Sequence, residues 1–352
     1  MKKVVKQVVG IDVAQDELVC TFGKVYEDFT LELVTRHIFE NKPAGFIKFN
    51  KWLDPIANKD VPLRFVMEAT GVYHQSFAYF LHDKACNVSI ILPNKISNFK
   101  RTLDIKTITD KTMADAITQF GLERNLEDWQ PPKGIYRILQ QLTREKAQLV
   151  DEKVVIRNQL HAENAEAKPN KRSILRCDKR LELIEKQIKE IQTEIKDLVA
   201  TDVEVKRIVL LICSITGVGM LTAATILGET NGFELIRNKR QLTSYAGLDV
   251  KEKLSGTSVK GKPSISKKGN RHLRKAMHLP ALSAIRADER FKAIFVRIVS
   301  KHGIKMKAVV AVQRKLLEMV YTIYKTGVEY DKEYFKKQNS QMEEELIEVV
   351  EI

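Results

Sequence analysis

The sequence predicts an α/β domain joined to a mostly helical, basic region, an α/β plus α chain. Three patterns carry that expectation. Short β-branched runs alternate with helically spaced apolar residues through residues 1–130. A heptad-like apolar stripe extends from Leu139 to Leu198. An uncharged, glycine-containing segment and then a strongly basic one fill residues 204–335 with helical spacing. At 352 residues, the chain has length for about two domains. An apolar fraction of 44% is enough to fill their cores and excludes global disorder.

The elements follow in order. Val4–Val9 is a β-branched run leading into Gly10-Ile11-Asp12, and Leu18–Phe22 and Leu31–Ile38 read as further strands of an antiparallel meander. Pro43–Leu53 has helical spacing. Leu63–Met67 is a buried strand that stops at Glu68, Tyr73–Lys84 is a helix, and Val88–Leu92 is a strand closed by Pro93-Asn94. Asp110 and Asp115 lie at the start of the helix in TITDKTMADAITQFG. Pro131-Pro132 marks a break. In 131–203, Leu142, Leu149 and Ile156 are spaced by seven, and Ile184, Ile188, Ile191, Ile195 and Leu198 step 4-3-4-3. A connection containing Pro169 separates the two runs, which predicts a coiled coil. It is either an antiparallel hairpin packed on its own domain or an arm that joins copies into a dimer or tetramer. Ile208–Gly228 carries no charge over 21 residues, yet its glycines and hydroxyls favour two short buried helices around a turn over a membrane span. Residues 336–352 form an acidic tail.

Lys and Arg number 59 against 45 Asp and Glu, a net charge of +14, which points to a polyanionic partner, nucleic acid before membrane. Four widely separated cysteines give no zinc spacing and fit a reducing cytosol. The N-terminus reaches Asp12 too early for a signal peptide. The expected location is therefore cytoplasmic and nucleoid-associated, with no membrane partner.

Three constellations can carry chemistry. The first is a carboxylate set: Asp12 and Glu68 end apolar strands, and Asp110 and Asp115 begin a helix. Such acids either cap elements and pair on the surface, or converge on Mg²⁺ (or Mn²⁺) for phosphodiester chemistry. The second is Thr216-Gly217-Val218-Gly219. With Thr222 in the third glycine position, a dinucleotide fingerprint is broken. A helix-hairpin-helix that offers Gly217 and Gly219 N–H groups to a phosphate, or a structural turn, remains. The third is Lys251–Lys275, with nine Lys or Arg and one Glu. Its glycines and hydroxyls favour nucleic-acid contact by Lys260, Lys262, Lys267, Lys268, Arg271 and Arg274, and Ser255 and Ser258 are hydroxyls within it. His272 and His278 read as helix-face residues.

Together these pieces resemble the DEDD transposases of the "one-ten" group of bacterial insertion sequences, related to pilin-gene invertases. Gly-Ile-Asp12-Val-Ala, Met-Glu68-Ala-Thr-Gly, Pro-Asn-Lys95 with Phe99, and Thr-Asp110 followed by Asp115-Ala match the first block. Ile215-Thr-Gly-Val-Gly-Met-Leu-Thr-Ala, Ser244-Tyr-Ala-Gly-Leu-Asp249, Ser255-Gly256, Gly261 and Ile265-Ser-Lys-Lys-Gly-Asn270 with Leu273-Arg274 follow the second. The resemblance covers about residues 5 to 330. It implies a RuvC-like, ribonuclease-H-type N-terminal domain (1–130) that holds Mg²⁺ on Asp12, Glu68, Asp110 and Asp115. It also implies a coiled-coil insert (131–203) and a helical C-terminal transposase domain (204–335) with Ser255 as nucleophile. DNA and a structured bridge RNA are the implied partners.

One departure stands out. The family spaces its last two acids by three; here Asp110 and Asp115 are five apart, about 140° around a helix. Thr112 as N-cap would place Asp115 at N3 and Asp110 in the preceding loop. Asp115 is then the primary ligand, with Asp104 the reserve for Asp110. A junction nuclease using water would need the acids without Ser255, and a non-catalytic binder would need only the basic loop and hairpin.

Overall fold

The computed structural model describes residues 2–69, 71–103, 107, 109–234, 236–251, 254–255, 259–260 and 264–333. The chain divides into two units, Met1–Pro131 and Pro132–Ile352.

The first unit is built on β1 (Val4–Val13), β2 (Glu17–Tyr26), β3 (Leu31–Glu40), α1 (Pro43–Leu53), β4 (Leu63–Glu68), α2 (Gln75–Asp83), β5 (Asn87–Ile91), α3 (Pro93–Lys100) and α4 (Asp110–Glu123). The sheet order is β3-β2-β1-β4-β5. β1 to β3 are an antiparallel meander, while β4 runs parallel to β1 and β5 parallel to β4. Strand alternation sends Val9, Ile11, Val13, Phe65 and Met67 to a core with Phe46, Phe49 and Phe77 from α1 and α2. Val8 and Val66 point the opposite way, against Ile96, Phe99, Ile117 and Phe120 of α3 and α4. Each buried phenylalanine contributes about 2 to 3 kcal/mol of apolar burial. The sequence reading ended an element at Pro93-Asn94. In the structure Pro93 begins α3, because a missing N–H costs nothing in a first turn.

α4 runs antiparallel to β1 and crosses it at Gly10. The Gly10 N–H donates to Thr118 Oγ at 3.1 Å, and that oxygen lies 3.0 Å from the Thr21 carbonyl oxygen. A Cβ on Gly10 would stand 2.3 Å from the Thr118 nitrogen. Gly10→Ala must therefore push α4 off the sheet, and urea unfolding should show a loss of about 3 kcal/mol; an unchanged midpoint would contradict this close approach.

The second unit is helical. α5 (Gly134–Ala165) and α6 (Lys171–Thr201) form a long hairpin, followed by α7 (Val203–Cys213), α8 (Met220–Thr230) and α9 (Lys239–Tyr245). Four two-residue strands come next: β6 (Val250–Lys251), β7 (Leu254–Ser255), β8 (Val259–Lys260) and β9 (Ser264–Ile265). α10 (Arg271–Ala276), α11 (His278–Ala287), α12 (Glu289–His302) and α13 (Lys305–Thr326) complete it. The far part of the hairpin has its own small core of Ile156, Cys177 and Ile184. Its root shares one core with the later helices through Leu139, Leu142, Ile191, Ile195 and Val199. Residues 131–203 and 204–335, taken apart in the sequence, thus meet in a single core. Of the two covers the sequence left open for the apolar stripe, its own chain supplies the one at the root, where Ile191, Ile195 and Val199 are buried. Among the described residues no helix is long and apolar enough to cross a membrane; the uncharged segment forms α7, a turn and α8, as two short buried helices.

Candidate active site and basic loop

Strand register decides where the first two carboxylates go. Gly10 lies opposite Val66 and Ile11 opposite Met67 in the parallel β1–β4 pair. One residue further, Asp12 and Glu68 stand side by side at the strand ends. Both alternate onto the face of Val8 and Val66, the face that α3 and α4 cover. The Asp12 carboxyl is pushed up to about 6, first by burial and then by the negative charges of Asp110 and Glu68. Burial also raises Glu68, opposed by the Lys100 ammonium. Lys100 Nζ lies 3.5 Å from Met113 Sδ.

The start of α4 differs from expectation. Thr109, not Thr112, is the N-cap. Its Oγ accepts from the Thr112 N–H at 3.3 Å, and Thr112 Oγ accepts from the Thr109 N–H at 2.9 Å. This reciprocal box satisfies two orphan donors. Asp110 is therefore the first helical residue rather than a loop residue, exposed where the helix dipole favours an acid. Asp115, five residues on, faces β2 and β3. Thr21 Oγ donates to its Oδ1 at 2.8 Å, and Arg36 forms an ion pair with its Oδ2. Thr21 and Arg36 are register partners across β2 and β3. The charges that act on Asp12 are thus Asp110 and Glu68, while Asp115 is engaged by a cation the sequence reading missed. Arg36 sits in the alternation of β3 like any solvent-facing residue, and no local signal marks it. Asp104 lies outside the described residues. Among the described residues, no three carboxylates, histidines or cysteines group closely enough to hold a metal ion together. The donor chemistry nevertheless fits a hard cation, since carboxylates with raised proton affinity are relieved by one.

In the second unit, Ser255 ends β7 and is paired by backbone register with Val259. Gly256, Ser258, Gly261 and Lys262 lie outside the described residues, and Lys260 is described by its backbone, opposite Leu254. The base of this segment is held on both sides. Val250 pairs with Ile265, the Ser266 N–H donates to the Asp249 carbonyl at 2.9 Å, and the Asn270 N–H donates to the Tyr245 carbonyl at 2.7 Å. Asn270 then works in two directions. Its Oδ1 caps α10 by accepting from the Leu273 N–H at 2.9 Å, and its Nδ2 donates to Glu229 Oε2 at 2.6 Å.

Glu229 is buried and takes a bidentate pair from Arg144, Nε to Oε1 at 2.7 Å and Nη2 to Oε2 at 2.8 Å. Burial pushes its carboxyl up, but the hydrogen bonds from Arg144 and Asn270 outweigh it and hold the group below the usual range. The sequence reading missed Glu229 and Arg144. The available signal was position: Glu229 is the first charge after the uncharged run.

The basic candidates separate. Lys267, Lys268 and Arg271 are exposed. Arg274 is half-buried and donates to the Ala246 carbonyl at 2.7 Å, a fold contact. Gly217 has a φ of +90°, and a Cβ there would meet the Pro280 carbonyl oxygen at 2.7 Å. It is glycine because α11 approaches it. Gly219 caps α8 in the open, and a Cβ placed on it would meet nothing within 4 Å. His278 Nδ1 lies 2.8 Å from Gln313 Nε2, a helix-face contact.

Two family models match in order along the chain, the first reaching from the first unit into α5 of the second. Residues 9–163 match the DEDD transposase model of the IS110 type, described as "Transposase", and residues 209–295 match "Transposase IS116/IS110/IS902 family". The chain is 26% identical over 332 residues to a "Pilin gene-inverting protein" of Moraxella lacunata, covering 93% of this chain and 98% of that one. The Moraxella bovis counterpart is 25% identical over 334 residues, with the same coverage. An "Insertion element IS110 uncharacterized 43.6 kDa protein" of Streptomyces coelicolor is 30% identical over 118 residues, 34% of this chain and 29% of that one. Among solved structures, "T. thermophilus RuvC in complex with Holliday junction substrate" aligns at 10% identity and a TM-score of 0.27, over 35% of this chain and 99% of that one. The chain belongs to the IS110/IS116/IS902 family of DEDD transposases, enzymes of DNA recombination.

Proposed function

We propose that the chain cuts and rejoins DNA strands as an insertion-sequence recombinase, by Mg²⁺- or Mn²⁺-dependent phosphoryl transfer with Ser255 as nucleophile. The observation that carries this reading is Asp12, whose carboxyl is held at about 6 by burial, Asp110 and Glu68. Asp12 and Glu68, side by side at the strand ends, would hold the cation first, with Asp110 and Asp115 drawn in to complete the acidic set. Bound there, the ion would stabilise charge on the phosphate oxygens. The strand order, with acids ending β1 and β4, supports a RuvC-like, ribonuclease-H-type reading of the first unit.

In the proposed step Ser255 Oγ gives up its proton and bonds to phosphorus, and the departing sugar oxygen takes up a proton. The resulting phosphoserine link retains the phosphodiester energy for rejoining. The reaction needs both units, since the carboxylates belong to the first and Ser255 to the second. The net charge of +14 and the exposed Lys267, Lys268 and Arg271 support DNA and a structured bridge RNA as partners. Gly219, open at the start of α8, is an additional phosphate contact in this reading. Joining several DNA ends calls for at least a dimer.

Trapping the reaction on junction DNA and digesting the protein tests the proposal. Nucleotide mass is expected on the peptide containing Ser255, with none in Ser255→Ala or Glu68→Ala. Cleavage that persists in Ser255→Ala with no adduct would instead make the chain a junction nuclease that uses water. Full cleavage by Glu68→Ala would remove the acidic site from the reaction.

A further inference from the structure

The second unit contains a cleft of about 230 Å³ between α5, α8, α10 and α11. Arg144, Lys146, His272 and Lys275 line it, against a single carboxylate, Glu229. The three cations and the imidazole differ in what they already hold. Arg144 is engaged by Glu229 on both oxygens. Lys275 Nζ reaches Asp151 at 2.6 Å in an exposed pair. Lys146 is half-buried, and among the described residues no carboxylate pairs with it; burial alone pushes its ammonium below the usual value. His272 is also half-buried, and burial lowers it against the pull of Glu229. The Thr222 hydroxyl lines the same wall without a partner among the described residues. A partly desolvated ammonium without a counterion is costly unless a ligand brings the opposite charge.

We propose that this cleft takes one backbone phosphate of a bound nucleic acid, with Lys146, His272 and Thr222 as donors and the Glu229-held Arg144 as a fixed cationic wall. Ammonium, imidazole and hydroxyl together suit the oxygens of a phosphodiester. A strand is favoured over free phosphate by what adjoins the cleft. His272 follows Arg271 in α10, and Arg271, Lys267 and Lys268, close to it in sequence, are exposed cations that a strand held at His272 can meet next. Leu279 stands 74% exposed at the rim, an apolar surface against which a sugar can lie. The inference rests on the nucleic-acid reading above and adds to it a site built from residues other than the carboxylates and Ser255.

Fluorescence anisotropy with a labelled duplex DNA and a labelled hairpin RNA, titrated at several salt concentrations, tests it on the full chain. Lys146→Gln should weaken binding severalfold and flatten the plot of log K against log salt by about 0.9 for duplex DNA, or about 0.7 for a single strand. Thermal melting should be unchanged, since Lys146 has no ion-pair partner to lose among the described residues. Ala147→Glu, which adds a carboxylate to the wall, should weaken binding further. A loss on DNA, on RNA or on both identifies which backbone lies there. Unchanged affinity and slope in both variants overturn the site alone. Absence of binding by the unaltered protein overturns the site and the nucleic-acid reading together.

Discussion

Asp12→Asn is expected to stabilise the metal-free protein at pH 7.5 while abolishing strand cleavage. The Asp12 carboxyl has a folded value of about 6, above its ordinary 3.8, because burial and the charges of Asp110 and Glu68 disfavour ionisation. Below pH 3.8 both folded and unfolded chains carry the proton, and Asp12 adds no pH dependence. Between 3.8 and 6 the folded chain keeps a proton the unfolded chain releases, so stability falls as pH rises. Above 6 the full penalty remains, at most about 3 kcal/mol at 1.36 kcal/mol per unit. Asparagine keeps the shape, and its Oδ1 can still accept from the Val13 N–H, but it carries no charge. Urea unfolding should therefore show a gain that is present at pH 7.5 and absent below pH 4. Mn²⁺ should raise the melting temperature of the unaltered protein and not of the variant. Cleavage should fall about a thousandfold or more, as loss of charge stabilisation at phosphate implies. A variant that is less stable at pH 7.5, or that still cleaves, would contradict this account of Asp12.

The second large effect concerns Arg144. Arg144→Met leaves the Glu229 carboxylate buried with only the Asn270 amide at 2.6 Å and Gln140 Nε2 at 3.4 Å. Removing one partner of a buried pair leaves an uncompensated charge, a loss of about 3 kcal/mol or more. The pH trend should also reverse. In the unaltered protein Glu229 is depressed below 4.5, so its contribution is present above that pH and is lost as pH falls through the folded value. In Arg144→Met burial acts unopposed by the guanidinium and raises the group, so the variant should gain stability as pH falls from 8 to 5. The double variant Arg144→Met/Glu229→Leu should recover much of the loss, because neither charge is then buried. Urea unfolding at pH 5 and 8 measures all three. Because Asn270 links Glu229 to the cap of α10, Arg144→Met should also loosen the base of the Ser255 segment, seen as faster amide exchange at Leu273. An equally protected Leu273 would disconnect the two.

Much of the fold was legible because local chemistry decides it. The β-branched runs marked the strands of the first unit, and Pro43–Leu53 emerged with its bounds intact because proline starts that helix and the apolar spacing sustains it. The stripe from Leu139 to Leu198 specified two helices and a break, since a period of 3.5 has no other use. Asp12 and Glu68 were conspicuous as acids ending apolar strands. What the pattern lacked was any record of distant neighbours. Only the parallel register of β1 with β4 brings Asp12 beside Glu68, and only the packing of α4 on Gly10 turns Asp115 to Arg36, 79 residues away. Thr109 and Thr112 are equally good caps by type, and backbone geometry chose Thr109. The apolar stripe is the same whether a second copy or the chain itself covers it; the root of the hairpin was decided by α7, α8 and α13 meeting it in one core. Glu229 with Arg144, 85 residues apart, is the clearest case. A buried charge is tolerable only beside its partner, and that proximity exists only once the chain has folded.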